Sequence, residues 1–313
     1  MCIRDRTKSG SGAQSLSVVS GTYAGATLIS GGSLSITTAA SFGTASGHTT
    51  ANGGTLDLNG LALASSETIN LSGTGNGGAG ALTGTGTSSI AAGNVLTLSG
   101  DASIGGAGSL TLATELGDGG GARSVTKTGT GTLIFANANN TYSGATRVAQ
   151  GTLQAGAVDV LDNSTGLNLT AAGARFNLAG FDQAVSKLDG VAGSIVTNDA
   201  AAVADGASLD ITAGGGSFAG DMTETGGDTL SVVKSGTGAQ VLSVGTGTYN
   251  GTTTISGGTL RAATTASLGS TSGTTTVNGG TLEASFSGTS NEALVLNGTG
   301  DAGAGALRGI STG

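Results

Sequence analysis

The residues of this sequence best suited to chemistry are acids concentrated between Lys187 and Lys234. This segment contains no other basic residue, and its acids are Asp189, Asp199, Asp205, Asp210, Asp221, Glu224 and Asp228. Three pairs of these acids stand about twenty positions apart in the sequence. They are Asp189 with Asp210, Asp199 with Asp221, and Asp205 with Glu224. Carboxylates stacked in such pairs are suited to glycoside hydrolysis or to calcium binding. Because a companion basic residue is missing, a solvated acidic face is favoured over either role.

Three lysines and all three tyrosines recur at a fixed spacing. Each tyrosine stands at i+15 from its lysine, and the pairs are Lys8 with Tyr23, Lys127 with Tyr142, and Lys234 with Tyr249. Lysines spaced about a hundred residues apart cannot form one anion-binding patch, so we expect outward-facing lysines that add solubility. The tyrosines are also too widely spaced to share one small sugar. We expect their rings at a corner of the fold, with the hydroxyl reaching solvent or a backbone carbonyl.

Two other motifs are weak indicators of chemistry. His48 is the only histidine, and its position after Gly47 indicates a surface turn instead of a catalytic triad. Gly73-x-Gly75-x-x-Gly78 has the letters of a dinucleotide-binding fingerprint, but such matches arise by chance in a chain with 62 glycines. The sequence therefore predicts no catalytic residue, no metal site and no cofactor.

The lysine and tyrosine belong to a long repeat that organises the chain. Its copies begin with KSGSGAQ at Lys8, KTGTGTL at Lys127 and KSGTGAQ at Lys234. A glycine stands at i+2 from each tyrosine and a leucine at i+26 from each lysine, at Gly25, Leu34, Gly144, Leu153, Gly251 and Leu260. The copies define modules 7–126, 127–233 and 234–313, the last of them truncated. Residues 1–6 are unlike the rest and are expected to be non-native sequence.

The pattern K-[ST]-G-[ST]-G, then T-Y-x-G-x-T, then GTL resembles the passenger-associated transport repeat of autotransporters, also called the autotransporter-associated β-strand repeat. The segments 173–190 and 52–60 are similar to the same family. The resemblance implies a right-handed parallel β-helix exported by the type V route, in which the repeat assists passenger folding and outer-membrane transport. It also implies a C-terminal outer-membrane barrel beyond this sequence and a bacterial cell-surface location. Host or bacterial surface ligands, or other copies of the chain, are the implied partners.

Apolar residues between the repeats alternate with the period of a β-strand. In the stretch that begins at Gly54, Leu56 and Leu58 fall on one face while Thr55 and Asp57 fall on the other. The segment SGGSL at residues 30–34 recurs as NGGTL at residues 52–56, so corresponding residues stand at i and i+22. Short alternating strands, glycine turns and a period of roughly twenty residues are typical of one coil of a β-solenoid. The sequence therefore predicts a single all-β, parallel β-helix.

Composition limits the function further. The net charge is −8 and the 11 lysines and arginines are dispersed, which argues against a nucleic-acid partner. The only cysteine, Cys2, lies in the hexapeptide considered non-native. Together these observations favour a non-catalytic surface stalk or adhesive rod. The alternative is a polysaccharide-active enzyme or a calcium-binding rod that uses the acids of segment 189–228.

Overall fold

In the computed structural model of the chain, the regular secondary structure consists almost entirely of short parallel β-strands. It describes residues 5–20, 23–44, 46–64, 66–161, 164–200, 206–245 and 249–310, so Cys2 and Asp205 lie outside the described residues. The chain divides into two compact units, Met1–Asn163 and Ser164–Gly313. Among the described residues of both units, strands are joined in parallel ladders. The predicted all-β solenoid is therefore confirmed.

Among its described residues, the first unit contains three parallel ladders. Its strands are β1 (Arg6–Lys8), β2 (Ala13–Leu16), β3 (Thr27–Ile29), β4 (Ser33–Ile36), β5 (Thr49–Asn52), β6 (Thr55–Asp57), β7 (Ala62–Leu63), β8 (Thr68–Gly73), β9 (Leu82–Thr83), β10 (Thr87–Ile90), β11 (Val95–Gly105), β12 (Ser109–Leu112), β13 (Leu116–Gly117), β14 (Val125–Lys127), β15 (Thr132–Phe135), β16 (Thr146–Val148) and β17 (Thr152–Ala155), with 3₁₀ helices at Ala39–Phe42 and Asn76–Gly78. One ladder runs β1–β3–β5–β8–β11–β14–β16. The second runs β2–β4–β6–β9–β11, and the third runs β7–β10–β12–β15–β17.

The second unit repeats this arrangement. Its strands are β18 (Leu167–Leu169), β19 (Arg175–Asn177), β20 (Gln183–Val185), β21 (Leu188–Gly190), β22 (Ile195–Asn198), β23 (Gly206–Ile211), β24 (Ser217–Phe218), β25 (Asp221–Glu224), β26 (Thr229–Lys234), β27 (Ala239–Leu242), β28 (Thr253–Ile255), β29 (Thr259–Ala262), β30 (Thr274–Asn278), β31 (Thr281–Ala284), β32 (Ala293–Asn297) and β33 (Leu307–Gly309), with 3₁₀ helices at Thr265–Leu268 and Asp301–Gly303. Its ladders are β18–β21–β24–β27–β29–β31–β33, β19–β22–β25 and β20–β23–β26–β28–β30–β32.

The register between strands sets the length of a coil. Thr132 pairs with Thr152, and Leu260 pairs with Leu282, so a residue at i has its partner at i+20 in one case and i+22 in the other. The average is roughly 22 residues per turn, close to the predicted value of about twenty. Each strand therefore takes its hydrogen-bond partners from the coils before and after it.

The core of each coil is formed by every second residue of its strands. In β17, Leu153 and Ala155 are buried, whereas Thr152 and Gln154 are partly exposed. Leu153 lies in register with Leu133 of the coil before, so leucines stack from coil to coil. Burying one such leucine contributes about 1.5–3 kcal/mol relative to exposure. The other repeat leucines, Leu34 and Leu260, are buried in the same way. The alternation predicted from the sequence is confirmed for these leucines.

Candidate functional site

The repeated lysines point into the fold. Lys127 and Lys234 are 2% and 0% exposed, and Lys8 is partly buried. The expectation of outward-facing lysines is therefore wrong. The reason lies in the strand period of two, because Lys127 follows the buried Val125 by two positions and shares its inward face. Lys234 stands in the same relation to the buried Val232.

A cage of backbone carbonyl groups surrounds the buried ammonium of Lys127. Its Nζ donates hydrogen bonds of 2.7 and 2.6 Å to the carbonyl oxygens of Thr128 and Gly129, in the turn that follows the lysine. A third bond of 3.1 Å reaches the carbonyl oxygen of Gln150, one coil later. We call these carbonyls and the ammonium the lysine cage. The lysine cage ties the glycine turn of one coil to the corresponding turn of the next.

The other two lysines have corresponding contacts. Lys8 donates to the carbonyl oxygens of Gly10 and Gly31, which stand at i+2 and i+23 from it, as Gly129 and Gln150 do from Lys127. Lys234 donates to the carbonyl oxygen of Gly236. Among the described residues, the salt bridges within 4.0 Å involve other basic side chains than these three. The ammonium groups are thus held by carbonyl dipoles instead of carboxylates.

A glycine covers the lysine cage. Gly151 has a φ of +70°, and a Cβ there would lie 2.5 Å from the carbonyl oxygens of both Gly129 and Gly131 and 2.9 Å from Lys127 Nζ. Real Cβ atoms are not found that close to other heavy atoms, so any larger residue would displace the turn. Gly32 and Gly258, the glycines at the same position in the other copies, have φ values of +64° and +59°. The glycine two residues before each repeat leucine is therefore required by both conformation and space.

Burial changes the acidity of the caged lysines. Removal from water lowers the pKa of Lys127 to about 8. Burial also lowers the pKa of Lys234, while the charges of Asp210 and Asp301 act in the opposite direction. The ammonium form is thus harder to maintain here than on the surface, and it depends on the cage carbonyls.

The repeated tyrosines pack inside their coils. Tyr142 is 1% exposed, its hydroxyl lies 2.6 Å from the hydroxyl of Thr146, and its ring meets Phe135 edge to face at a centroid distance of 6.2 Å. Tyr249 is fully buried, and its hydroxyl has the equivalent contact of 2.6 Å with Thr253. The rings therefore pack as expected. Both hydroxyls bond a threonine inside the fold, and the hydroxyl of Tyr249 also donates a hydrogen bond of 3.1 Å to the carbonyl oxygen of Ser267, one of the two expected partners.

The threonine partner explains the spacing of the T-Y-x-G-x-T motif. Tyrosine and threonine are four positions apart, and the glycine between them allows two coils to come close. A Cβ on Gly144 would lie 2.3 Å from the backbone of Arg123, and one on Gly251 would lie 2.2 Å from the carbonyl oxygen of Leu230. Sequence reasoning missed the threonine, although its constant distance from the tyrosine was a usable signal.

Tyr23, in the first copy, has a different environment. The guanidinium of Arg6 lies 4.0 Å from the centre of its ring and donates a hydrogen bond of 2.9 Å to Thr27. Arg6 occupies the strand position that Val125 and Val232 hold in the other copies. The expectation that residues 1–6 are non-native remains a prediction, and it would account for an arginine at a position that is valine in the other two copies.

The structure does not stack either of the two acid pairs that it describes. Asp189 lies in β21 and Asp210 in β23, which belong to different ladders. Asp199 follows β22, whereas Asp221 begins β25 and pairs with Ile195. The third predicted pair included Asp205, which lies outside the described residues.

Longer coils in this segment account for the difference. Gly190 pairs with Phe218 and Ile195 pairs with Asp221, so the partners here stand at i+28 and i+26. Acids about one average coil apart in sequence consequently fall on different sides of their coils. A uniform period, which is all that the sequence suggested, does not hold between Lys187 and Lys234.

These acids instead accept hydrogen bonds that connect coils. The bonds reach Asp189 from the Ser217 N–H at 2.9 Å, Asp199 from the Thr225 hydroxyl at 2.6 Å, Asp210 from the Ser235 hydroxyl at 2.7 Å, Glu224 from the Asn250 N–H at 3.0 Å, and Asp228 from the Ala200 N–H at 2.7 Å. Asp228 is buried as well. The bonds to Asp189, Asp199, Asp210 and Glu224 lie at the exposed surface, so these acids are compatible with a solvated face while they also connect coils.

Asp118 holds the loop that carries Tyr142. Its carboxylate accepts hydrogen bonds from the N–H groups of Gly120, Arg123 and Ser143 at 2.9, 3.1 and 2.9 Å, and from the Ser143 hydroxyl at 3.0 Å. Burial raises the pKa of Asp118, but these hydrogen bonds outweigh it and lower the pKa to about 2. The carboxylate therefore stays ionised and satisfies backbone groups of two successive coils.

Two buried glutamates occupy equivalent positions in the outer modules. Glu67 and Glu292 are 4% and 9% exposed, and the Oε2 atom of each has no hydrogen-bond partner among the described residues. Burial raises the pKa of Glu67 to about 7, against the charge of Arg6, which lowers it. Burial also raises the pKa of Glu292, against a hydrogen bond of 2.9 Å from Thr275. Sequence reasoning missed both residues.

The remaining motifs lie at the surface or serve turns. His48 is exposed and precedes β5. Gly73, Gly75 and Gly78 connect β8 to a 3₁₀ helix of three residues, so no long helix follows them. Among the described residues, no group of three or more acids, histidines or cysteines is arranged to hold a metal ion. No helix in the described part of the chain has the length and apolar character that crossing a membrane requires.

Comparison with known proteins links this geometry to a family. Residues 7–36, 125–155, 232–262 and 266–284 match the passenger-associated-transport-repeat family. Over 143 residues, 45% of this chain, the sequence is 39% identical to the Adhesin BmaC autotransporter of Brucella suis biovar 1 (strain 1330). The aligned region is 4% of that protein, so this chain spans a small part of its relative. No solved structure matches the chain.

The family matches coincide with the structural unit described above. The first three matches begin just before a caged lysine and end just after a stacked leucine. Each contains the lysine, the tyrosine, the covering glycine and the leucine in the same order. The chain therefore contains segments that match the passenger-associated transport repeat, and part of it is similar to an autotransporter adhesin.

Proposed function

We propose that this chain is a non-catalytic segment of a bacterial autotransporter passenger, exported by type V secretion and displayed at the cell surface as a stalk or adhesive rod. Its repeats assist passenger folding and outer-membrane transport, and an outer-membrane barrel anchors the complete protein. The observation that carries this proposal is the coincidence of the lysine–tyrosine unit with the matched repeat segments, together with the similarity to an autotransporter adhesin.

The parallel ladders supply a physical reason for a role in transport. Strands inside a ladder pair with the coils directly before and after them, so a coil gains its contacts as soon as its neighbour has folded. A chain that folds coil by coil outside the membrane cannot easily slide back. The lysine cage and the buried tyrosine add contacts between successive coils at each repeat, which favours that stepwise folding.

A surface-display experiment tests the proposal. The chain is fused to the outer-membrane barrel of an autotransporter in a Gram-negative host, and its exposure is measured by protease treatment of intact cells. We expect the chain to be cleaved from intact cells, and deletion of residues 125–155 to reduce its display. Deletion of residues 84–114, of equal length and outside the matched segments, is the control. Retention of the intact chain in the periplasm would contradict a role as a passenger.

Adhesion is tested on the same cells. Bacteria that display the chain should bind epithelial cell layers or immobilised glycans more than bacteria that display the barrel alone. Display without any increase in binding would reduce the proposal to a stalk. Release of reducing sugars from polysaccharides by the purified chain would contradict the non-catalytic assignment. The acids of segment 189–228 accept coil-to-coil hydrogen bonds, and this supports the absence of a catalytic role for them.

A further inference from the structure

The repetitive core of this chain specifies its register only weakly. Strand β17 reads Thr-Leu-Gln-Ala and pairs with Thr-Leu-Ile-Phe of β15. A shift of one residue would turn every leucine outwards, and the alternation forbids it. A shift of two residues keeps the same side chains inside, and the flanking turns are rich in glycine, serine and threonine. Apolar contacts alone therefore discriminate poorly between the native register and a two-residue slip.

The lysine cage is sensitive to such a slip. The Nζ of Lys127 needs the carbonyl oxygen of Gln150 on the next coil, and only Gly151 fits against the cage. After a slip of two residues in either direction, Ala149 or Leu153 would occupy the place of the glycine. Their Cβ atoms would meet the carbonyls that a Cβ on Gly151 meets at 2.5 Å. The buried ammonium would then lose its acceptor on the next coil and keep only the carbonyls of its own turn, which is unfavourable for a buried charge.

We propose that the lysine cage is a register lock. It selects, residue by residue, the native register between each repeat coil and the next coil. This role goes beyond the proposed function and does not depend on export. A buried charge that contributes little net stability is able to serve specificity in this way, because an incorrect pairing removes its hydrogen bond to the next coil. The cross-coil acceptor recurs at Lys8, which donates to the carbonyl oxygen of Gly31. The covering glycine recurs in both other copies, because a Cβ on Gly32 or Gly258 would lie within 2.4 Å of two carbonyl oxygens of the preceding coil.

Disulfide trapping tests the register lock directly. In a Cys2→Ser background, Thr132→Cys with Thr152→Cys reports the native register, because the two residues are paired. Ile134→Cys with Thr152→Cys reports a two-residue slip. In the native register these two positions are diagonal across the ladder, about 8 Å apart, too far for a disulfide. Each pair is built with Lys127 intact and with Lys127→Met, refolded from denaturant, and oxidised.

With Lys127 intact we expect the native cross-link to dominate. In Lys127→Met the ratio of slipped to native cross-link should rise about tenfold or more, because no buried charge then penalises the slip. Lys187→Met is the matched control, since Lys187 is exposed and pairs with Asp189. The same design in the second unit uses Lys234→Met. Ala239→Cys with Thr259→Cys reports the native register, because the two residues are paired, and Val241→Cys with Thr259→Cys reports a two-residue slip.

Each outcome bears on the register lock. A raised ratio in a Met variant that keeps its β-type circular dichroism, with Lys187→Met unchanged, supports the register lock. An unchanged ratio in the folded Met variants overturns it, and so does an equal rise in Lys187→Met. Loss of β-structure in both Met variants also overturns it, because the lysine would then sustain the fold itself and not select its register.

Discussion

At the scale of single residues, the buried polar groups carry the information that the leucines lack. Lys127 and Tyr142 lie in the same repeat, and both bury a polar end group that finds its partner close by. A buried polar group is stable only where its hydrogen bonds are satisfied, so each of these side chains fits one local arrangement. The leucines, by contrast, fit any coil whose strands keep the alternation.

The first prediction concerns Tyr142. Replacing it with Ala should destabilise the surrounding coils by about 3 kcal/mol, the usual range for the loss of a packed aromatic ring. Because each coil contacts only its neighbours, hydrogen exchange should accelerate in β14–β17 and stay unchanged around Tyr249. Tyr249→Ala is the matched variant, with the reverse pattern expected. Unchanged exchange in Tyr142→Ala, combined with lost adhesion, would mark the tyrosine as a recognition residue.

The second prediction concerns Glu67 and pH. Its pKa is raised from 4.5 to about 7, so the folded state binds more protons than the unfolded state between these values. Stability should therefore fall as pH rises from about 4.5 through 7. Glu67→Gln should remove that loss, so the melting temperatures of variant and parent should converge near pH 4.5 and diverge at pH 8, with the variant higher. Parallel curves across this range would show that the carboxyl stays ionised throughout.

At the scale of the element, turns between strands decide how closely the coils stack. Glycines with positive φ recur through the turns of both units, but they are not equivalent. Some lie in open space, and others lie against the backbone of the preceding coil. Sequence composition shows that glycine is frequent and cannot separate these two classes, because the crowding comes from the neighbouring coil.

The third prediction compares two glycines of similar conformation. Gly119 has a φ of +60° and no atom within 4 Å of the place that a methyl group would take, whereas Gly151 has a φ of +70° and two carbonyl oxygens at 2.5 Å. Gly119→Ala should cost about 1 kcal/mol for its left-handed backbone. Gly151→Ala should cost about 1–3 kcal/mol more, because the methyl group overpacks the lysine cage. Urea titration followed by circular dichroism measures both, and equal costs would contradict the crowding.

At the scale of the whole molecule, the last strand of a parallel ladder has one edge without a hydrogen-bonded partner strand. Strand β32 pairs with β30 on one side, and among the described residues no strand pairs with its other side. Its apolar residues Leu294, Val295 and Leu296 are more than two-fifths exposed. An unpaired edge with exposed apolar residues is a template for association with another chain.

The fourth prediction follows from this edge. Sedimentation of the chain at rising concentration should show self-association, and Val295→Lys should weaken it by placing a charge on the edge strand. Val191→Lys is the matched control, because Val191 has the same exposed fraction of 44% and lies outside the strands. A chain that sediments as a monomer at every concentration would contradict an accessible edge.

The sequence by itself determined the parallel coils, their approximate period and the inward face of Leu34, Leu153 and Leu260. These features depend on the alternation of apolar residues along each strand and on the sequence repeat, and both can be read directly along the chain. The tertiary structure alone decided the surroundings of Lys127 and the partners of the acids between Lys187 and Lys234. The carbonyl cage needs an atom from the next coil, and the pairing of acids depends on coil lengths, which vary from a partner at i+20 to a partner at i+28. An inward lysine was readable from the valine two positions before it, but its acceptor on the next coil, the carbonyl oxygen of Gln150, was not, because the two become neighbours only when the coils stack.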